Sequence, residues 1–151
     1  MREFPEFSGP MVDWPHVEPV EHALETLDLL RKSWMIALAT NAVASNEAEI
    51  WAALRRVQLN EVIDKVYCFR TIRYKKPSAE FFGYVLNDLG LDRSRVFMVG
   101  DDFEADVMGA VRCGIHSVWF NHRSRELRET EMYTTIHDLR LLPETLTRLA
   151  V

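Results

Sequence analysis

Residues 96–110 read Val-Phe-Met-Val-Gly-Asp-Asp-Phe-Glu-Ala-Asp-Val-Met-Gly-Ala. The apolar run 96–99, bounded by turn signals, is typical of a fully buried strand. Gly100 then lets the backbone turn sharply at a point where a side chain would clash. Asp101 and Asp102 are therefore expected at the carboxyl end of a strand, the edge at which open α/β sheets build their sites. The stretch predicts an α/β fold with a functional site at this edge.

Three carboxylates fall within this one turn-and-helix unit, because Asp106 lies in the first turns of a helix predicted over 104–113. Carboxylates this close repel one another unless a cation or a lysine compensates their charge. Hard oxygen ligands suit Mg²⁺, so Asp101 and Asp102 are candidate metal ligands. Helix capping is the alternative, since a carboxylate there satisfies free N–H groups and the helix dipole. Capping needs one carboxylate and the sequence offers three, so we favour the site interpretation.

The composition indicates a globular protein that binds neither nucleic acid nor membrane. The chain has 151 residues, of which 48% are hydrophobic and 27% charged, and its net charge is -5. Its basic residues are scattered, so a phosphate-rich polymer would be repelled on average. No run approaches transmembrane length, and the first residues lack the apolar core of a signal peptide. A cytoplasmic location follows as the default expectation.

Apolar runs that predict strands alternate with segments of helical periodicity. This alternation predicts a parallel sheet with right-handed crossovers. Residues 1–19 contain Pro5, Pro10, Pro15 and Pro19, which block helix and ladder hydrogen bonds, so we interpret them as an extended arm ahead of one core domain at 20–151. The predicted strands are 34–39, 66–69, 96–99, 117–120 and 133–136, and the predicted helices are 21–31, 46–57, 77–89, 104–113 and a last helix that begins at Pro143.

Two further segments carry candidate site residues. The first predicted strand ends in Thr40-Asn41, where a hydroxyl and a backbone N–H can donate to phosphoryl oxygens. An ordinary turn residue is the alternative for Thr40. Lys76 precedes Pro77, which favours an extended backbone at the lysine and a helix start at the proline, so the ammonium can be aimed at the site. A solvated surface charge is the usual fate of a lysine, and Lys75 is expected to point elsewhere.

The order and spacing of these three segments resemble the haloacid dehalogenase (HAD) superfamily of phosphatases and related hydrolases. That family has a strand ending in Ser or Thr, then a lysine commonly followed by proline, then a Gly-Asp pair with a second acid five residues after the first. The resemblance covers residues 17–146. It implies a Rossmann-like three-layer α/β fold and a phosphatase-type hydrolase that uses Mg²⁺ on a small phosphorylated metabolite, with dehalogenase as a lesser option. The matching segments are Thr40, Lys76-Pro77, and Gly100-Asp101 with Asp106.

The resemblance also implies a role for each residue. Asp101 would be the direct metal ligand, with Asp102 as a further acid at the metal. Asp106 would hold Lys76 or a metal-bound water. The set implied as catalytic is Lys76, Thr40 and Asp106, and the set implied as phosphate-binding is Thr40, Asn41 and Lys76.

The nucleophile motif of the family is missing. Family members carry Asp-x-Asp-x-(Thr or Val) at the end of the first strand, which forms the middle of the sheet. Asp13 is the only aspartate ahead of the first predicted helix, and it has no apolar run before it and Pro15 in the place of the second aspartate. We therefore interpret the chain as a HAD core without its first strand and cap, with a sheet that is incomplete at its centre. Such a core could bind phosphate or, weakly, Mg²⁺, but could not form an aspartyl-phosphate.

Three explanations of this gap stay open. The chain is a fragment of a longer enzyme that is inactive alone, a pseudoenzyme that serves as a non-catalytic phosphate-binding or interaction module, or a chain whose sheet is completed from elsewhere. A fragment is favoured, because residues 1–13 resemble leftover cap sequence. Because unpaired strand edges are costly, completion is expected from direct pairing of the two strands that flank the gap or from a second copy of the chain in a homodimer. The Pro-rich arm is the third candidate, but its prolines make it a poor central strand.

Overall fold

The computed structural model describes residues 19–150, so the predicted arm at 1–19 lies outside the described residues except for Pro19. The described chain divides into two compact units between Arg73 and Tyr74. The prediction of one core domain over 20–151 stays a prediction. Among the described residues, no helix is long and apolar enough to cross a bilayer.

The first unit has the element order α1 (Ala23–Leu30), β1 (Ala37–Thr40), α2 (Glu47–Arg56), β2 (Lys65–Cys68) and α3 (Phe69–Ile72). β1 and β2 are parallel neighbours, with Thr40 opposite Cys68. α2 connects them, and its N-cap is Asn46, the first residue of the predicted helix 46–57, which forms a reciprocal capping box with Glu49. The core of this unit lies between α2 and β2, and its buried side chains are Ile50, Leu54, Leu59, Val62, Ile63, Val66 and Cys68.

The second unit has the element order α4 (Ala79–Leu89), β3 (Phe97–Gly100), α5 (Gly109–Arg112), β4 (His116–Phe120), β5 (Tyr133–Ile136) and α6 (Leu142–Leu149). Its strands form a parallel sheet in the order β3-β4-β5. A π-helical segment, Phe103–Met108, precedes α5, and 3-10 turns at Arg93–Arg95 and Leu139–Leu141 precede β3 and α6. The largest fully buried apolar side chains here are Phe81, Ile115, Val107 and Val118.

The parallel α/β organisation is confirmed, and the described sheets have β1 and β3 as edge strands. In these sheets β1 pairs with β2 and β3 pairs with β4. Because β1 and β3 belong to different units, what completes the other edge of each stays a prediction.

The first strand is shorter than the apolar run 34–39 predicted. The Asp64 carboxylate accepts a hydrogen bond from the Ile36 N–H at 2.8 Å, and the Ile36 carbonyl accepts one from the Asp64 N–H at 2.7 Å. These two hydrogen bonds join Ile36 to Asp64 just ahead of the two strands, and ladder pairing begins only at Ala37. Trp34 and Met35 precede the strand, and Met35 is 59% exposed.

Two helical features differ from the predictions. Phe69, predicted to end a strand, begins α3, because a short apolar run does not distinguish the end of a strand from the start of a helix. The helix predicted over 104–113 begins as the wider π-helical segment. There the Asp102 carbonyl accepts from both Asp106 N at 2.9 Å and Val107 N at 3.4 Å.

Gly109 lets two segments of the second unit approach closely. A Cβ built on Gly109 would lie 2.7 Å from the Pro77 Cβ and 2.9 Å from the Phe82 Cε2, which is closer than real side chains pack. The proline that follows Lys76 therefore rests directly on the helical segment that follows Asp106. This contact fixes the lysine relative to the carboxyl end of β3.

We predict opposite effects of alanine at two helical glycines of this unit. Gly109→Ala should destabilise the protein by roughly 1–3 kcal/mol, because the methyl group overlaps Pro77. Gly83→Ala is the matched control: nothing lies within 4 Å of its Cβ position in α4, so removing glycine from a helix interior should stabilise by about 0.5–1 kcal/mol. Urea unfolding of both variants checks this, and equal stability of the two would contradict the packing.

Candidate functional site

The carboxyl end of β3 is built around the side chain of Asp106. This side chain folds back over Gly100 so closely that a Cβ on the glycine would overlap the Asp106 carboxylate. Asp106 Oδ2 accepts a hydrogen bond from the Asp102 N–H at 3.1 Å. Position 100 therefore requires glycine for two reasons. The chain turns there, as the sequence indicated, and the Asp106 side chain packs directly on the backbone.

Asp106 forms an ion pair with Lys76. Lys76 Nζ lies 2.5 Å from Asp106 Oδ1, and the two side chains are only 9% and 7% exposed. A buried charge is tolerated when it is paired and hydrogen-bonded, and here each charge compensates the other. The residues that the family resemblance paired are thus in contact, while their catalytic roles stay predictions.

Asp102 caps the helical segment that follows it. Its Oδ1 accepts a hydrogen bond from the Ala105 N–H at 2.9 Å, in the manner of an N-cap residue. The capping alternative thus describes this side chain in the structure. A role for Asp102 at a metal stays a prediction.

Asp101 is held by the strand and loop next to it. Its carbonyl oxygen accepts from Trp119 Nε1 of β4 at 3.1 Å. Its carboxylate Oδ2 lies 3.3 Å from His122 Nε2 and 3.3 Å from Arg123 Nη2. The Asp101 side chain is 33% exposed, so unlike Asp106 it remains open to a ligand from solvent.

Thr40 and Asn41 lie at the carboxyl end of β1 in the first unit. Thr40 Oγ1 accepts a hydrogen bond from the Ala42 N–H at 3.1 Å, as in the turn alternative, and its hydroxyl hydrogen is not used by that bond. Asn41 is half-buried. The approach of these two residues to Lys76 and Asp101 would join the two units, and it stays a prediction.

The donor set fits Mg²⁺ only as a partial site. Within residues 19–150, no group of three or more His, Cys, Asp or Glu side chains is arranged to hold a metal ion. Asp101 offers one carboxylate, while Oδ1 of Asp102 is engaged as a cap. Mg²⁺ is commonly held by one or two carboxylates, with water and substrate phosphates completing its shell. Asp101 is compatible with that mode of binding.

His122 and Arg123 are site residues that sequence reasoning did not select. In the sequence they lie among interleaved acidic residues, a pattern typical of a solvated, salt-bridged loop or short helix, and the structure has a loop there. A usable signal was present, since both residues lie within three positions of the end of the strand predicted at 117–120. The carboxyl ends of neighbouring parallel strands lie at the same sheet edge, and β4 pairs with β3.

Comparison with known proteins agrees with this geometry. The profile of the haloacid dehalogenase-like hydrolase family matches residues 3–120. The chain belongs to this family. Its fold is the Rossmann-like α/β fold of HAD proteins: a solved structure from Listeria monocytogenes serotype 4b superposes with a TM-score of 0.81 at 28% identity, over 93% of this chain and 85% of that one.

Two curated relatives are named as a nucleotidase and a phosphatase. The pyrimidine 5'-nucleotidase YjjG of Escherichia coli (strain K12) is 30% identical over 129 residues, which are 82% of this chain and 56% of the relative. The glyceraldehyde 3-phosphate phosphatase of Methanothermobacter thermautotrophicus is 27% identical over 116 residues, 76% of this chain and 49% of the relative. This HAD chain thus spans about half the length of these two relatives.

We predict that the Lys76–Asp106 pair dominates the local stability of the second unit. Lys76→Met leaves the Asp106 charge buried without a partner, so it should cost about 3–5 kcal/mol. Lys76→Met combined with Asp106→Asn should recover much of this loss, because no unpaired charge remains. Lys75→Met is the control: Lys75 is adjacent and exposed, and its substitution should stay within about 0.5 kcal/mol. Urea unfolding that finds Lys76→Met as stable as Lys75→Met would refute the prediction.

Proposed function

We propose that this chain carries the phosphate- and cation-binding part of a phosphatase-type HAD site for small phosphorylated metabolites. The observation that carries the proposal is the buried Lys76–Asp106 pair beside Asp101, at the carboxyl end of a parallel strand. Open α/β sheets bind ligands at this edge. An ammonium fixed there by a carboxylate supports recognition of an anion whose oxygens accept several hydrogen bonds.

In this proposal Lys76 binds and orients the phosphoryl group. Its ammonium has three N–H donors, and one of them goes to Asp106 Oδ1. Asp106 holds the lysine in place and compensates the positive charge of the buried ammonium. The family resemblance implies the Thr40 hydroxyl and the Asn41 N–H as further donors to phosphoryl oxygens, and that role stays a prediction.

Asp101 is the residue that would hold Mg²⁺, with Asp102 beside it. When bound, the ion would neutralise negative charge on the phosphoryl oxygens. Asp101 would hold the cation, and the Lys76 ammonium would supply a second positive charge for the phosphoryl group. Weak Mg²⁺ affinity is expected, because the described residues supply few protein ligands.

The names of the relatives support phosphate esters of small metabolites as the substrate class, since both are named for hydrolysis of such esters. The family resemblance also allows dehalogenase chemistry, but a lysine-centred anion site favours the phosphate ester. The cytoplasmic location expected from the sequence is part of the same proposal.

Hydrolysis by the family's covalent route needs a carboxylate nucleophile at the end of a strand, and this sequence does not provide one. No Asp-x-Asp motif follows an apolar run, so we propose that this chain binds the phosphoryl group without cleaving it. Covalent catalysis would then require a carboxylate nucleophile from outside these residues. The second candidate is a pseudoenzyme, a phosphate-binding module that has no catalytic role even with other residues added. The same missing motif favours it.

The test measures binding and turnover separately. Inorganic phosphate titrated with Mg²⁺ present and followed by ³¹P NMR should bind to the unmodified chain. Lys76→Met should weaken that binding at least about tenfold, because a charge-assisted hydrogen bond contributes about 1.5–3 kcal/mol. The exposed neighbour variant Lys75→Met should leave the phosphate affinity unchanged. Equal affinity of the two variants would refute the assignment of Lys76.

Turnover is assayed on the same preparations with p-nitrophenyl phosphate and Mg²⁺. We expect no hydrolysis above the background rate, because no nucleophile is placed. Hydrolysis at the rate of an intact family member, abolished by Asp101→Asn, would show that the chain is a complete enzyme and that the binding-only proposal is wrong.

A further inference from the structure

The loop that follows β4 is organised by one buried side chain. Asn121 is only 4% exposed. Its Nδ2 donates to Ser124 Oγ at 2.8 Å and to the Glu126 carbonyl at 3.0 Å. Its Oδ1 accepts from the backbone N–H groups of Arg123 at 3.3 Å and Ser124 at 3.2 Å. The two donors and the acceptor of this amide are therefore all used to fold residues 122–126.

The backbone of Asn121 ties the same loop to the end of β5. Its N–H donates to the Ile136 carbonyl at 2.9 Å. Its carbonyl oxygen lies 2.8 Å from His137 Nδ1. The loop is exposed along most of its length, yet hydrogen bonds hold both the side chain and the backbone of Asn121, its first residue. An exposed loop held this firmly can carry side chains in a defined geometry.

The side chains that it carries meet Asp101. His122 and Arg123 both approach Oδ2 of the Asp101 carboxylate, each at 3.3 Å. No hydrogen bond of the described residues uses Asp101 Oδ1. One oxygen is thus held by the protein, while the other is left for a ligand.

We propose that Asn121 is a positioning residue, which acts through His122 and Arg123 to fix the Asp101 carboxylate so that Oδ1 receives a divalent cation. The inference rests on the proposed function in one respect, the assignment of Asp101 as the cation ligand. It adds three residues that no family motif of the sequence analysis contains.

Two opposing effects decide the direction of the expected change. Donors on the non-ligating oxygen hold a metal-binding carboxylate in its productive orientation, and their loss typically weakens metal affinity 10–100-fold. Against this, the positive charge of Arg123 repels a cation. The Arg123 side chain is 71% exposed, so solvent and salt screen that repulsion. Orientation should therefore outweigh repulsion, and removal of the two donors should weaken cation binding.

The experiment titrates the protein with Mn²⁺, an ion with the same preference for oxygen ligands as Mg²⁺, and follows the EPR signal of free Mn²⁺. The double variant His122→Ala/Arg123→Ala should bind Mn²⁺ about tenfold more weakly than the unmodified chain. Asn121→Ala should weaken binding to a similar extent. Arg125→Ala is the matched control, because it removes an equal charge from an exposed position of the same loop, and it should change the affinity by less than about twofold. Unchanged or tighter binding by the double variant would overturn the inference.

A second measurement, without metal, tests the contact itself. A double-mutant cycle in urea combines Asp101→Asn with His122→Ala/Arg123→Ala. The effects should be non-additive, because both changes remove the same interaction. Additive effects would overturn the inference even if Mn²⁺ binding were weakened, since the loop variants would then act without Asp101.

Failure of this inference is distinguishable from failure of the proposed function. If Asp101→Asn abolishes Mn²⁺ binding while the loop variants do not affect it, the cation site stands and the positioning role is wrong. If Asp101→Asn leaves Mn²⁺ binding unchanged, or the unmodified chain binds none, the cation site of the proposed function is wrong and the inference is overturned with it.

Discussion

A lysine and an aspartate that are both almost out of contact with water hold the second unit of this protein together at the carboxyl end of β3. The pair joins the segment ahead of α4 to the helical segment after β3. Two glycines make the approach possible, since a side chain at Gly100 would overlap the aspartate and one at Gly109 would meet Pro77. Either charge alone would be strongly destabilising in this place. The ion pair therefore depends on the close packing at the two glycines, and this packing is stable only because the two charges are paired.

The three aspartates of this edge coexist because each has its own compensation. Asp106 is neutralised by the Lys76 ammonium. Asp102 caps a helical segment, where N–H groups favour a carboxylate. Asp101 faces donors from the loop after β4. These local partners offset the repulsion between the three carboxylates, and the Asp101 side chain, at 33% exposed, is more open to solvent than the Asp106 side chain, at 7%.

The sequence predicts the order of strands and helices well, because apolar runs and turn residues report burial and chain reversal directly. β5 has the predicted bounds, and the first residue of the helix predicted over 46–57 is the N-cap of α2. The boundaries that differ depend on tertiary partners. The run at 34–39 is apolar throughout, but the Asp64 carboxylate captures the Ile36 N–H before ladder pairing can begin. Periodicity cannot foresee such a contact between residues 28 positions apart in the chain.

The candidate site also has one part that the sequence predicts and another that depends on tertiary contacts. The contact between Lys76 and Asp106 follows from motifs that the sequence shows and from the family to which the chain belongs. The roles of Asp101 and the loop residues depend on which side chains meet after folding. His122 and Arg123 look like ordinary surface charges in the sequence, and only the saturated hydrogen bonding of Asn121 shows that they are held in place.

The proposed function places a phosphoryl anion at Lys76 and a cation at Asp101, both at the carboxyl end of β3. A crystal structure of the chain with Mn²⁺ and tungstate, a heavy-atom mimic of phosphate, tests it directly through anomalous scattering. We expect a manganese peak at Asp101 Oδ1 and a tungsten peak within hydrogen-bond distance of Lys76 Nζ. Both peaks at other places on the protein, with Lys76 and Asp101 unchanged, would contradict it.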